Sequence, residues 1–253
     1  MKVALITGAT RNTGLAIARR FADAGYAIAI TSRDGSVASE TAAVLERDYS
    51  VIARGYELLP SSVDSICATF EKLEQDFGRL DVFVANCAHL GVGYSLLDTT
   101  EEMFDAVSDV NIKGTFFCCQ CAAKLMQRSG GGSIITMGSV QGTGGLHGRT
   151  VYGMSKASLS VLVRYMAYEL GQYGIRANNL VAGAIHSNRW DELSEEEVAA
   201  RRSRYPVGRE STEEEIANAI FFLASEQAAS ITGTDLTVDS GLTACLLSYT
   251  KKE

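Results

Sequence analysis

The chain has 253 residues, 46% of them apolar, with two prolines and no Gly/Ser-rich or charge-rich linker, so residues 1–253 read as one α/β domain. Thirty acidic side chains against 23 basic ones leave a net charge of −7, which speaks against binding to a nucleic-acid backbone. The six cysteines (67, 87, 118, 119, 121 and 245) follow no zinc spacing and predict reduced thiols and no metal, and no apolar run is long enough to span a bilayer.

Lys2–Thr7 predicts a strand with no basic region or cleavage site ahead of it, and the chain is expected to be cytoplasmic. Thr13–Ala24 follows with helical periodicity (Leu15, Ile17, Ala18, Phe21) and stops at Gly25. Tyr26–Thr31 is a second strand, about Ser36–Asp48 a helix, and Val51–Glu57 a weaker third strand. Ser62–Phe77 carries Ile66, Phe70 and Leu73 on one helical face, and Asp81–Ala85 gives strand four. One long helix is expected over roughly Thr100–Gln127, then strand five at Ser133–Met137 and a helix over about Val151–Tyr173. Arg176–Val181 reads as strand six, Asp191–Arg204 as a charged helical insertion, Thr212–Ala224 as a helix and Thr234–Val238 as strand seven. Strands separated by helices throughout imply right-handed crossovers and a seven-stranded parallel sheet covered on both faces, a doubly wound nucleotide-binding architecture.

Two local patterns carry chemistry. Tyr152 and Lys156, in Tyr152-Gly153-Met154-Ser155-Lys156, share one helix face, where an ammonium beside a phenol lowers a pKa that is ordinarily about 10. Ser139, at the end of strand five, adds a hydroxyl. The second pattern, Thr7-Gly8-Ala9-Thr10-Arg11-Asn12-Thr13-Gly14, joins the first strand to the first helix, the place for a loop that cradles a pyrophosphate at a helix N-terminus.

With these residues the chain resembles the short-chain dehydrogenase/reductases over nearly its whole length. Thr7, Gly8 and Gly14 match the family's Thr-Gly-x-x-x-Gly-x-Gly, and Asn12 stands at the central glycine, where asparagine tolerates positive φ. Asn111 (in Val110-Asn111-Ile112-Lys113-Gly114), Ser139, Tyr152 and Lys156 match the family's catalytic tetrad. The resemblance implies a single-domain Rossmann fold and hydride transfer between a nicotinamide dinucleotide and a carbonyl or secondary alcohol. In that reading Ser139 polarises the carbonyl and Tyr152 exchanges the proton. Lys156 lowers the Tyr152 pKa and holds the ribose, while Asn111 supports a water leading from Lys156 to solvent. It further implies cofactor contacts at Thr13, Asn86, Ala88, Tyr152, Lys156, Gly183, Ile185 and Ser187, and a homotetramer built on the long helices and the apolar tail Ala244–Tyr249.

The sequence departs from the family pattern elsewhere. Ala85-Asn86-Cys87-Ala88 replaces Asn-Asn-Ala-Gly, and Leu59-Pro60 replaces the Asp-Val that recognises adenine, removing a side-chain acceptor and an N–H donor. At the end of strand two, Ser32 and Arg33 stand where an acidic residue selects NAD. With Arg11 they predict a 2′-phosphate site and NADP, with NAD as the alternative; Arg33 paired with Asp34 at the surface is the bland reading.

Specificity is expected from His89, Gln141, His147 and Arg149, and from a lid at about residues 186–210 that begins with His186, Asn188, Arg189 and Trp190. Trp190 reads either as a substrate contact or as the residue that docks the lid, and His147 either as a substrate contact or as a loop stabiliser. The lid helix is expected to be solvated and braced by i,i+4 ion pairs. So many polar rim positions predict a polar hydroxy/keto substrate such as a sugar or sugar acid. A 3-oxoacyl thioester, or a non-catalytic dinucleotide-sensing or scaffold role, are the alternatives.

Overall fold

The computed structural model describes residues 1–187, 190 and 192–245. Its strands are β1 (Val3–Ile6), β2 (Ala27–Ser32), β3 (Ala53–Glu57), β4 (Val82–Ala85), β5 (Gly132–Ser139), β6 (Ile175–Ala182) and β7 (Asp235–Val238). They form one sheet in the order β3-β2-β1-β4-β5-β6-β7, every pair parallel. β1 and β4 are buried at every position, as expected of central strands covered on both faces.

Alternating residues of each strand feed two separate cores. On one face Ala4, Ile6, Ile28, Ile30, Val82 and Val84 pack against α1 (Asn12–Asp23), α2 (Gly35–Tyr49) and α8 (Glu213–Ala224). On the other, Val3, Leu5, Ala29, Phe83 and Ile134 meet α3 (Val63–Phe77), α5 (Thr115–Ser129) and α6 (Thr150–Leu170). Between β1 and β4 the strand order reverses direction, which opens a crevice at their carboxyl ends.

The long helix expected over 100–127 is not continuous. It consists of α4 (Glu101–Ser108), a π-helical turn at Asp109–Gly114 and then α5. Two contacts hold the wider turn. Asn111 is buried and bonded to the loop after β4, and the Pro60 carbonyl presses on Gly114, where an added Cβ would lie 2.1 Å from the Pro60 oxygen. π-turns of this kind concentrate at functional sites.

The insertion after β6 leaves and returns at the bridge Ile185↔Ser211, where His186 N–H donates to the Ser211 carbonyl and Ser211 N–H to that of Ala184. Its helix, α7 (Glu195–Arg202), starts at a capping box formed by Ser194 and Glu197. The expected i,i+4 ion pairs are absent from the described part of α7. The Glu197 carboxylate accepts from the Ser194 N–H, Arg202 pairs with Glu210, and Arg201 lies over the Trp190 ring. Asn188, Arg189 and residues 246–253, which include most of the apolar tail, lie outside the described residues. No helix among the described residues is long and apolar enough to cross a membrane.

Candidate active site

The loops after β1 and β4 are stitched into one floor. The buried Thr7 hydroxyl accepts from the backbone N–H groups of Asn86 (3.0 Å) and Cys87 (3.2 Å). The Asn86 amide in turn donates to the carbonyls of Thr7 (2.9 Å) and Gly8 (3.1 Å). Thr7 and Asn86 therefore build the cradle from below. Gly8 has a φ of +63°, and a Cβ there would sit 3.0 Å from that of Cys87; one on Gly14 would lie 2.4 Å from the Gly8 carbonyl oxygen. Asn12 takes a φ of 48°, as its residue type allows. Its side chain is exposed and lines the groove between α1 and α8 rather than the crevice. Thr13 follows it in the first turn of α1, half-buried.

The crevice has a volume of about 540 Å³ and runs from Arg11, Ser32 and Arg33 past Gly8 to Ala88 and His89. Among the described residues neither Arg11 nor Arg33 forms an ion pair. The pairing of Arg33 with Asp34 does not occur, because Asp34 caps α2, accepting from Ser36 N–H (2.9 Å), Val37 N–H (3.4 Å) and the Ser36 hydroxyl (2.6 Å). Leu58 and Pro60 line the crevice wall, while Leu59 is exposed and its N–H donates to Ser65 Oγ. A cradle that a Cβ would fill, beside unpaired guanidiniums, fits a dinucleotide pyrophosphate. Thr31, Cys87, Leu90 and Val110 also line the crevice and were missed in the sequence. The signal that could have found them is place: Thr31 next to the end of β2, Cys87 and Leu90 in the loop after β4, and Val110 in the turn that carries Asn111.

Beyond the crevice stand the tetrad residues. The Tyr152 phenol and Ser139 share the site, and the Ser139 hydroxyl accepts from Gln141 N–H at 3.2 Å. Burial raises the phenol above its ordinary value; the nearby Ser139 hydroxyl and then the Arg149 guanidinium oppose that rise. Lys156 Nζ lies 5.6 Å from the centre of the Tyr152 ring and donates to the Met137 carbonyl at 2.6 Å. Burial pushes the ammonium down to about 8. The Arg149 guanidinium, its Cζ 5.7 Å from the centre of the ring, is the charge that eases Tyr152 ionisation. Asn111 clamps the loop after β4 by accepting from His89 N–H (2.7 Å) and donating to the His89 carbonyl (2.9 Å). It also donates to Ser155 Oγ at 2.9 Å, and Ser155 in turn donates to the Tyr152 carbonyl at 2.7 Å. Asn111 thereby couples the His89 loop to the catalytic turn of α6.

The rim residues divide. His89 lines the crevice, its ring 6.1 Å from that of Tyr94. Gln141 holds a buried Oε1 with no partner among the described residues. His147 is exposed in the loop before α6. Trp190 is 8% exposed and packs beside His186, at 6.0 Å between ring centres, and under Arg201. Gly183 donates its N–H to the Val238 carbonyl and leaves no room for a Cβ against Asp239. Ile185 sits on the bridge to Ser211, and the Ser187 carbonyl accepts from Trp190 N–H. Sequence reading also missed Glu210. This buried carboxylate takes two bonds from Arg202 (2.9 and 2.7 Å) and one contact from His186 Nδ1 (2.7 Å), and Arg202 foremost holds it down at about 2.

A doubly wound sheet with a glycine cradle at its switch point, and a Ser/Tyr/Lys group beside it, defines a dinucleotide-dependent oxidoreductase. A family model described as enoyl-(acyl carrier protein) reductase matches residues 8–243. The 3-oxoacyl-[acyl-carrier-protein] reductase FabG of Aquifex aeolicus is 34% identical, over 95% of this chain and 97% of its own. The (3R)-3-hydroxyacyl-CoA dehydrogenase of Rattus norvegicus is also 34% identical, over 95% of each chain. Among solved structures, an NAD⁺-bound xylitol dehydrogenase superposes with a TM-score of 0.88 at 26% identity, covering 95% of this chain and 98% of that one. A 7α-hydroxysteroid dehydrogenase complexed with NADH and 7-oxo glycochenodeoxycholic acid gives 0.87 at 29% identity, covering 95% and 93%. The chain belongs to the short-chain dehydrogenase/reductase family and is an NAD(P)-dependent oxidoreductase acting on CH–OH groups.

Proposed function

We propose that this protein is an NADP-dependent carbonyl reductase or alcohol dehydrogenase whose substrate is a small polar hydroxy/keto compound such as a sugar or sugar acid. The observation that carries the reading is Lys156 held 5.6 Å from the centre of the Tyr152 ring by its bond to Met137, two residues ahead of Ser139, in a fold whose crevice holds two arginines without ion pairs among the described residues.

When bound, the reduced nicotinamide supplies the hydride that turns the carbonyl carbon into the alcohol carbon. Ser139 and Tyr152 both hold the carbonyl oxygen. Tyr152 passes its phenolic proton to that oxygen as negative charge develops there, and takes a proton back in the oxidative direction. Arg149 stabilises the phenolate left behind. At neutral pH Lys156 is still an ammonium, and it presents N–H donors to the nicotinamide ribose from a fixed place on α6. Asn111 sets the His89 loop against the same helix turn, and Gly183, Ile185 and Ser187 offer backbone groups to the carboxamide. The lid carrying Trp190 and α7 excludes water over the site.

Arg11 and Arg33, with the Ser32 hydroxyl, support NADP as the cofactor, because a 2′-phosphate is the anion that unpaired guanidiniums at this end would hold. NAD is the alternative, in keeping with the bound cofactors of the solved relatives. The curated relatives named for 3-oxoacyl and 3-hydroxyacyl thioesters support thioester reduction as a second reading. A homotetramer is supported by the exposed apolar side chains of α5 and α6, among them Phe116, Val161, Tyr165 and Tyr168. The test is a panel of sugars, oxo acids and 3-oxoacyl thioesters with NADPH and NADH, followed by absorbance of the reduced nicotinamide. Turnover of thioesters alone would replace the leading reading by the second, and turnover of nothing would overturn both.

A further inference from the structure

The chain carries an excess of carboxylates, and half of its sixteen arginines meet one: Arg20, Arg47, Arg54, Arg79, Arg128, Arg164, Arg202 and Arg209 all lie in ion pairs. Arg149 does not, among the described residues. It stands immediately before α6, three residues ahead of Tyr152, and is half-buried. Its side chain makes one hydrogen bond, from Nη1 to the Leu90 carbonyl at 2.5 Å, out of the five N–H donors a guanidinium carries. Its Cζ lies 5.7 Å from the centre of the Tyr152 ring. The backbone around it is fixed: Arg149 bridges to Tyr94, Thr150 N–H donates to the Tyr94 carbonyl, and Gly153 N–H to that of Arg149. An unneutralised, half-desolvated cation is thus held rigidly beside the proposed proton donor, with the plane and donors that match a carboxylate.

We propose that Arg149 is the anion-binding group of the substrate pocket, and that the substrate is an oxo acid or hydroxy acid whose carboxylate lies within a few bonds of the reacting carbonyl. This rests on Ser139 and Tyr152 being the reaction centre. A bidentate carboxylate on Arg149 brings the reacting oxygen to the phenol and fixes which face of the carbon is presented. Neutral polyols and ketones lack this anchor. Cys87 and Lys156 also lie near the centre, but burial holds the Cys87 thiol neutral, and Lys156 is buried and bonded to Met137 while Arg149 is only half-buried.

The experiment compares oxo acids with the amides of the same acids, for the parent, Arg149→Gln and Arg149→Lys, with cofactor saturating. The parent should favour the acid over its amide in kcat/KM. In Arg149→Gln that preference should fall ten- to a hundredfold, chiefly through KM, the size of a lost charge-assisted contact. Arg149→Lys should restore part of it. Equal losses for acid and amide would mean that Arg149 acts only on the Tyr152 phenol or the Leu90 loop and binds no substrate anion, and no preference in the parent would overturn the proposal outright. Calorimetric titration of malonate against the parent and Arg149→Gln separates the two readings. If no carbonyl compound is turned over, the reaction centre is misassigned. Malonate binding lost in the variant would still establish the anion site, and malonate that fails to bind the parent would remove it.

Discussion

Lys156 Nζ donates a 2.6 Å hydrogen bond to the carbonyl of Met137, two residues ahead of Ser139 on β5. The contact pins the catalytic turn of α6 to the strand that delivers the serine. It also leaves a buried ammonium with a single carbonyl in place of its hydration shell, and that burial pushes its pKa down to about 8.

The folded chain holds the Lys156 proton less tightly than the unfolded chain, whose lysine keeps the ordinary 10.5. Between those values unfolding takes up a proton, so the parent gains stability as pH rises through the window, and below about 8 the full penalty remains. Lys156→Met should therefore be more stable than the parent at pH 7, by roughly 3 kcal/mol, with the gap closing towards pH 10.5. Urea unfolding of both proteins at pH 7 and pH 10 checks this. A gap that does not change with pH would show that burial does not perturb this lysine.

Tyr152→Phe removes the phenolic proton while keeping the ring. Turnover should fall by about a hundred- to ten-thousandfold with dinucleotide affinity close to that of the parent. Steady-state kinetics and a fluorescence titration of the cofactor measure the two separately. Turnover within a few-fold of the parent would rule out Tyr152 as the acid.

Arg33→Asp places a carboxylate where the 2′-phosphate is proposed to sit. NADP affinity should drop by roughly ten- to a hundredfold, with NAD affinity unchanged or improved. Parallel titrations with the two cofactors decide it, since equal losses would make Arg33 a general surface charge.

Glu210 ties His186, at the foot of the insertion, to Arg202 at the end of α7. Its folded pKa lies at about 2, below the ordinary 4.5. Its stabilisation is therefore complete above pH 4.5 and lost as pH falls through about 2. Glu210→Gln should lower the Tm at pH 7 by a few degrees and speed proteolytic cleavage between residues 186 and 210, the difference from the parent narrowing below pH 4.5. A Tm difference that persists unchanged in acid would show that the charge of Glu210 is not what holds the insertion.

Much of this was legible in the sequence because it is local. Strand runs, helix stops at glycines, the cradle of Gly8 and Gly14 and the Tyr152/Lys156 spacing each depend on residues within a few positions of one another, and hydrophobic period reports directly which face is buried. The left-handed Asn12 was readable for the same reason, since residue type alone permits its φ. Tertiary structure decided what depends on residues distant in the chain. The π-turn at Asn111 arises from its bonds to His89 and Ser155 and from the Pro60 carbonyl at Gly114, none of which leaves a mark on the helical pattern of 100–127. The lowered Lys156 pKa, the Arg149 charge beside Tyr152 and Glu210 as the tie across the insertion follow from which side chains lose their water when the elements pack. Burial sets those charges, and burial is a property of the assembled sheet and helices, not of any one segment.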